Sequence, residues 1–161
     1  MIRLPGQGST HDDLLERLQA MKAHDLNATD GRTFAYVYEA GEAVDAVRKD
    51  AYRMFLADNG LDPTVFPSLL RLENDVIGIA ATHLGAPSDA VGSFTSGGTE
   101  SILMAVKAAR GKARAEGRVA PRGAGNLVMP VTGHAAFHKA AHYLGLEVVS
   151  VPVNPETFQA D

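Results

Sequence analysis

A glycine-rich turn at Thr95–Ser101 carries the strongest chemical signal in the sequence. Its adjacent glycines, Gly97 and Gly98, let the backbone approach a ligand closely, and the helix that follows begins with free N–H groups and a positive dipole end. Thr99 adds a hydroxyl donor. These features predict a phosphate-binding turn. The alternative is a simple glycine turn in which Thr99 only caps the helix.

Two common nucleotide-binding signatures are absent from this turn. No Gly-Lys-Ser/Thr sequence follows it, and Gly111-Lys112-Ala113 lacks the hydroxyl that a Walker loop requires. The GxGxxG spacing of dinucleotide-binding folds is also missing. The turn therefore indicates a phosphate ligand of another kind.

A second candidate residue is His134, which follows a predicted strand by a few residues. Open α/β sheets bind ligands at the carboxyl ends of their strands, so an imidazole there could stack on a planar cofactor. The alternative is that His134 caps the next helix. The residues by themselves leave both interpretations open.

The second half of the chain alternates strand and helix patterns. The strands are expected at 91–94, 126–131 and 147–153, the helices at 99–116 and 135–144, and a surface loop at 117–125. This spacing is typical of right-handed crossovers and a parallel sheet, so the fold class is α/β. The glycine-rich turn and His134 would then share one sheet edge. Three strands with open edges make a sheet that looks incomplete.

The first 85 residues are expected to form helices and loops. A helix capped by Ser9 or Thr10 would place four apolar side chains on one face, and further helices are expected at 42–57 and from Ser68 to Gly85. The apolar side chains of the first helix are Leu14, Leu15, Leu18 and Met21.

Two other segments of this half have distinct patterns. Phe34–Tyr38 predicts a short extended segment, and the two prolines of 61–67 predict an ordered loop. The acids Glu73 and Asp75 of the third helix are interpreted as a solvated face.

Composition excludes several classes of function. The chain has no cysteine, so disulfides, zinc thiolates and a thiol nucleophile are excluded. Its net charge of −4 provides no basic surface for nucleic acid. No HExxH pair indicates a metal site, and no apolar stretch reaches the ~18 residues of a membrane helix. We expect a cytoplasmic protein with no membrane anchor.

Several segments together resemble one enzyme family. They are Ser96–Leu103 (SGGTESIL), His134–Phe137 (HAAF), Lys139–Ala141 (KAA), Asn59–Pro67 (NGLDPTVFP) and the pair Val37-Tyr38. They are similar to the sphingosine-1-phosphate lyase branch of the pyridoxal-phosphate (PLP)-dependent group II decarboxylases, which have fold-type I. The resemblance extends over about residues 30–155.

The resemblance implies a PLP cofactor and a role for each matching residue. Gly97, Gly98 and Thr99 would hold the PLP phosphate, and His134 would stack on its ring. Tyr38, Asn59 and Asp62 would face the substrate, in part in the partner subunit's site.

The resemblance also implies an organisation and a partner. These enzymes are homodimers with shared active sites that act on small-molecule substrates. Residues 1–85 would then be an amino-terminal helical arm at the dimer interface. Residues 86–161 would begin the PLP-binding domain.

The implied activity is carbon–carbon cleavage of a phosphorylated long-chain base or a related amino alcohol. Amino-acid decarboxylation is the alternative within the family, and a non-catalytic or split-enzyme chain that binds a phosphorylated ligand is the alternative outside it. The family's Schiff-base lysine belongs to a His-Lys pair far downstream. His138-Lys139 corresponds instead to a helical segment, so Lys139 is interpreted as a helix-surface residue. The resemblance therefore implies that the chain given contains no catalytic residue and is incomplete.

One position departs from the family pattern. Asp62 stands where the lyases carry histidine, and Thr64 replaces the acid two residues later. An ionised carboxylate only accepts hydrogen bonds and repels a substrate phosphate. Asp62 therefore predicts a substrate with a neutral or cationic group at this place, unless Asp62 merely caps the Pro63 turn.

Overall fold

A computed structural model of the chain describes residues 3–119 and 125–160. Its elements are α1 (His11–Met21), followed by a 3₁₀ turn at Lys22–His24, then α2 (Glu42–Met54), α3 (Pro67–His83), α4 (Gly98–Ala115), β1 (Asn126–Pro130), α5 (Ala135–Leu144) and β2 (Glu147–Val151). Residues 120–124 of the predicted loop at 117–125 lie outside the described residues. Among the described helices, none combines the length and apolar character needed to cross a bilayer.

The chain forms two compact units, residues 1–59 and 60–161. Helix α3 lies in the second unit, so this division differs from the expected arm of residues 1–85, which stays a prediction. Two contacts attach α3 there: the Phe94 N–H donates to Glu73 Oε1 at 2.9 Å, and Ile77 lies against Gly92.

The first unit contains α1 and α2. Thr10 caps α1 as predicted, since its hydroxyl accepts from the Asp13 N–H at 3.2 Å while the Asp13 carboxylate accepts from the Thr10 N–H. The apolar face of α1 remains 45–70% exposed. In α2, Asp45 pairs with Arg48 and Lys49, in the i,i+3 and i,i+4 arrangement that supports a helix.

One segment and one helix end in this unit differ from the sequence expectation. Phe34–Tyr38 bends instead of running extended, because Ala35 adopts a φ of 69° and no neighbouring strand holds the segment straight among the described residues. The second helix ends at Met54 instead of Ala57. Phe55 closes it through its N–H to the Ala51 carbonyl at 3.1 Å.

In the second unit, β1, α5 and β2 form the predicted parallel crossover. The strands pair in register from Asn126 with Glu147 to Pro130 with Val151. Gly145 ends α5 in the left-handed conformation (φ 64°), which glycine adopts without a steric penalty. The last strand stops at Val151, short of the expected Val153, because Pro152 has no N–H to donate.

Helix α4 packs against α5, and their shared core is made of small side chains. Five residues form the buried core of the described chain: Val106, Met129, Ala136, Ala140 and Ala141. The guanidinium of Arg110 crosses from α4 to donate to the Leu144 carbonyl at 2.6 Å. This bond attaches α4 to the last turn of α5, where the helix leaves carbonyls without internal partners.

The prediction of a strand at Val91–Phe94 is wrong. Within residues 3–119 and 125–160 the sheet has two strands, and 91–94 pairs with neither. A strand exists only when a neighbour accepts and donates its ladder hydrogen bonds. The sequence pattern therefore identified an apolar segment, but it did not show whether another strand pairs with that segment.

The tight α4–α5 contact yields a stability prediction. Ala140 is 0% exposed, so Ala140→Leu should overpack the core and lower the free energy of unfolding by about 1–3 kcal/mol. Chemical denaturation measures this change. His138→Leu, at an exposed position of the same helix, is the matched control, and an equal loss in both variants would contradict the packing described here.

Candidate functional site

The first turn of α4 presents backbone donors without protein acceptors. Gly97 is the N-cap, and the first internal bond of the helix joins the Ser101 N–H to the Gly97 carbonyl at 3.0 Å. The N–H groups of Gly98, Thr99 and Glu100 precede that bond, and no side chain of the described residues caps this helix end. Three adjacent donors at the positive end of a helix dipole suit an anion.

The glycines of this turn face open space. A Cβ added at Gly97 or at Gly98 would meet no protein atom within 4 Å. The φ of Gly97 is 162°, which is ordinary extended backbone. Neither packing nor backbone strain therefore requires glycine here. The remaining physical reason is access, since a side chain would occupy the space beside the free donors. A phosphate group fits this arrangement.

Glu100 holds Ser96, the residue directly before the two glycines. Its Oε2 atom accepts from both the backbone N–H of Ser96, at 2.8 Å, and the Ser96 hydroxyl, at 2.7 Å. The hydroxyl, followed by the backbone N–H, holds the pKa of the Glu100 carboxyl below its ordinary value. Glu100 thus stays ionised near neutral pH and directs its charge at Ser96.

Two further side chains hold the approach to the turn. Ser101 bonds through its hydroxyl to the hydroxyl of Thr95 at 2.6 Å, and the half-buried Glu73 accepts from the Phe94 N–H. The interpretation of Glu73 as part of a solvated face is therefore wrong, whereas Asp75 does lie at the surface, 3.7 Å from Arg71. No local pattern signals Glu73, because its partner is 21 residues away.

His134 is the N-cap of α5, as the alternative interpretation predicted. Its Nδ1 atom accepts from the Ala136 N–H at 3.1 Å. An accepting Nδ1 carries no proton, so the ring proton is on Nε2. Gly133 sets the position of His134, because an added Cβ there would lie 2.3 Å from Met129 Cε and 3.1 Å from the Pro130 carbonyl oxygen. Stacking of His134 on a cofactor ring stays a prediction.

The packing of α4 on α5 brings the two candidate segments to the same end of the helix pair. Ala105 and Phe137 line one cavity of about 400 Å³, and farther along both helices Arg110 reaches Leu144. The helices therefore run in the same general direction. Their N-terminal ends, which carry Gly98 and His134, lie on the same side. The packing of the two helices, and not the shared edge of a three-stranded sheet, therefore places the two segments on the same side.

The predicted substrate residues divide between the two units. Tyr38 is 89% exposed and lies with Asn59 in the first unit, whereas Asp62 lies in the second. Asp62 Oδ1 accepts from the Thr64 N–H at 2.8 Å and from the Thr64 hydroxyl at 2.7 Å. Capping of the Pro63 turn is thereby confirmed. The Thr64 hydroxyl, then its N–H, lowers the pKa of Asp62, so the carboxylate is ionised.

Lys139 lies on the surface of α5. Its Nζ atom is 5.5 Å from the centre of the Tyr143 ring, in a cation–π arrangement along the helix. This contact agrees with the interpretation of Lys139 as a helix-surface residue.

Residues 3–160 match the family described as the pyridoxal-dependent decarboxylase conserved domain. The chain belongs to this family. Pyridoxal 5′-phosphate is accordingly the cofactor that family membership implies, and the free donors at the start of α4 fit its phosphate.

The sequence relatives of the chain include a lyase and a decarboxylase. The sphingosine-1-phosphate lyase of Dictyostelium discoideum is 38% identical over 161 residues, which is 98% of this chain and 29% of that protein. A probable L-tyrosine/L-aspartate decarboxylase of Methanothrix thermoacetophila is 37% identical over 92% of this chain and 35% of its own length.

A solved structure agrees with these sequence relatives. The sphingosine-1-phosphate lyase of Burkholderia pseudomallei superposes with a TM-score of 0.86 at 31% identity, over 100% of this chain and 38% of that chain. The fold class predicted from the sequence is thereby confirmed. The chain spans only about a third of the length of the relatives it matches.

The bonds between Ser96 and Glu100 yield a pH prediction. Ser96→Ala removes the hydroxyl, so the pKa of Glu100 should rise toward its ordinary value of 4.5. In the wild type the pKa of folded Glu100 lies below the unfolded value. Ionised Glu100 therefore stabilises the native state above pH 4.5, and this contribution is lost as the pH falls through the folded pKa.

The measurement is a carboxyl-carbon NMR titration of Glu100 in both proteins. Ser101→Ala is the matched control, because its hydroxyl bonds to Thr95 and not to Glu100. Equal pKa values in the wild type and in Ser96→Ala would contradict the assigned bonds.

Proposed function

We propose that this chain forms the phosphate-binding and ring-stacking part of the active site in a PLP-dependent carbon–carbon lyase. The observation that carries the proposal is the first turn of α4, where the N–H groups of Gly98, Thr99 and Glu100 have no acceptor among the described residues and both glycines face open space. Family membership supplies the cofactor that fits these donors.

Each residue has a defined part in the proposed site. Gly97 leaves room for the phosphate, and Gly98 and Thr99 donate backbone N–H groups to it, with the Thr99 hydroxyl as a further donor. His134 stacks on the cofactor ring, and its bond to the Ala136 N–H fixes the plane of the imidazole. The bound cofactor supplies an electron sink for the carbanion that bond cleavage leaves on the substrate.

The substrate side of the proposal involves Tyr38, Asn59 and Asp62. The relatives named as sphingosine-1-phosphate lyases favour a phosphorylated amino alcohol as the substrate class. We also propose a homodimer with shared active sites, in which residues 1–85 form an interface arm. The largely exposed apolar face of α1 supports an interface in this part of the chain.

Amino-acid decarboxylation is the second candidate. It is favoured by the Methanothrix thermoacetophila relative, which is almost as similar to this chain as the Dictyostelium lyase is. The two reactions need the same phosphate and ring contacts, because both rely on the cofactor as an electron sink. They differ in which substrate bond breaks.

Substitution of Gly98 tests the phosphate site. In Gly98→Ala the new methyl group meets no protein atom within 4 Å, so the fold should be unaffected. The methyl group would nevertheless occupy space beside the free donors. We expect the Kd for pyridoxal 5′-phosphate to rise about tenfold and the Kd for pyridoxal, which lacks the phosphate, to stay the same. Titration of the natural polypeptide that carries this chain, followed by cofactor absorbance, measures both constants.

The matched control is Gly111→Ala, in the same helix and equally free of close neighbours. It should leave both dissociation constants unchanged. Wild-type protein that binds pyridoxal as tightly as its phosphate ester would contradict the proposed site, as would equal effects of the two substitutions.

Substitution of Asp62 tests substrate choice. If the ionised carboxylate faces the substrate, Asp62→His should raise kcat/KM for a phosphorylated long-chain base several-fold, because repulsion between two anions is removed. Asp89→His makes the same charge change at an exposed position in the second unit and serves as the control. Efficient cleavage by the wild type with no gain from histidine would show that Asp62 acts only in the Pro63 turn.

A further inference from the structure

The segment that leads into the phosphate turn has no sheet to hold it in this structure. Residues 91–94 pair with neither β1 nor β2 in the described part of the chain. Backbone N–H groups that would otherwise bond to a neighbouring strand need other acceptors. One of them, at Phe94, bonds to a carboxylate instead, and the N–H of Ser96, two residues downstream, also bonds to a carboxylate.

The first carboxylate comes from α3. Glu73 is half-buried and its Oε1 atom lies 2.9 Å from the Phe94 nitrogen. Next to this bond, Ile77 packs against Gly92, where an added Cβ would lie 3.1 Å from Ile77 Cγ2. Helix α3 therefore contacts the incoming segment at two points, one polar and one apolar.

The second carboxylate comes from the first turn of α4 itself. Glu100 binds the N–H and the hydroxyl of Ser96 with one oxygen atom, directly before the Gly97 N-cap. Its backbone N–H belongs to the set of free donors, whereas its side chain turns back to Ser96, four residues earlier. The backbone on one side of the turn is thus fixed to the helix on the other.

We propose that Glu73 and Glu100, here called the carboxylate clamp, are positioning residues for the phosphate site. They fix Phe94 and Ser96, and through them the direction of the donors at Gly98 and Thr99. This inference rests on the proposed function, since it assumes that a phosphate binds there.

The reason that two distant acids matter is geometric. Hydrogen bonds to a phosphate weaken steeply with distance and angle, and several donors must converge on one group. A displacement of about 1 Å in a positioning element can reduce function about a hundredfold.

The proposal predicts different effects for glutamine and leucine substitutions at each of the two positions. Glu73→Gln and Glu100→Gln keep an acceptor oxygen, whereas Glu73→Leu and Glu100→Leu remove it at similar size. We expect the leucine variants to raise the Kd for pyridoxal 5′-phosphate about tenfold, with pyridoxal unaffected, and the glutamine variants to restore most of the affinity. Amide hydrogen exchange should quicken at Phe94 in Glu73→Leu and at Ser96 in Glu100→Leu.

Matched controls are Asp75→Leu on the surface of α3 and Glu116→Leu at the end of α4, which should change neither readout. If the wild type prefers the phosphate ester but the leucine variants bind it equally well, the positioning role is overturned and the phosphate site stands. If the wild type shows no preference for the phosphate ester, the proposed function is overturned together with this inference. Unchanged exchange at Phe94 and Ser96 in the leucine variants would also overturn the clamp.

Discussion

A helix cannot satisfy the N–H groups of its own first turn, and in α4 this constraint is the basis of the phosphate site that we propose. Most helices of the chain use a local device at this point: Thr10 caps α1, His134 caps α5, and Pro67 begins α3 with one N–H fewer. Helix α4 begins with glycines and has no side-chain cap. We propose that its donors bind a phosphate, while nearby side chains hold the turn.

The small core of the second unit determines where this turn lies. Ala136, Ala140 and Ala141 let α5 come close to α4, and the Arg110 bond to Leu144 fixes the far end of the pair. Because the helices run in the same direction, the α4 turn and His134 come to the same end. The packing of three alanines thus has a direct effect on the site.

Local signals accounted for most of the secondary structure. Thr10, Gly85 and Gly145 act at helix ends as their residue types predict, and β1, α5 and β2 lie within two residues of their expected limits. The errors occur where a distant partner decides. Residues 91–94 lack a neighbouring strand in the described chain, and the bend at Ala35 has no sequence signal.

In the candidate site, too, local features could be predicted from the sequence and features that depend on distant partners could not. The sequence by itself determined the glycine-rich turn, the helix that follows it, the place of His134 before α5 and the family resemblance, because each depends on residues close together in the chain. Only the tertiary structure decided that Glu73 bonds to the segment before the turn and that α4 and α5 bring their first turns to one end. A bond across 21 residues, like the one between Phe94 and Glu73, follows from packing of the chain and from no local pattern.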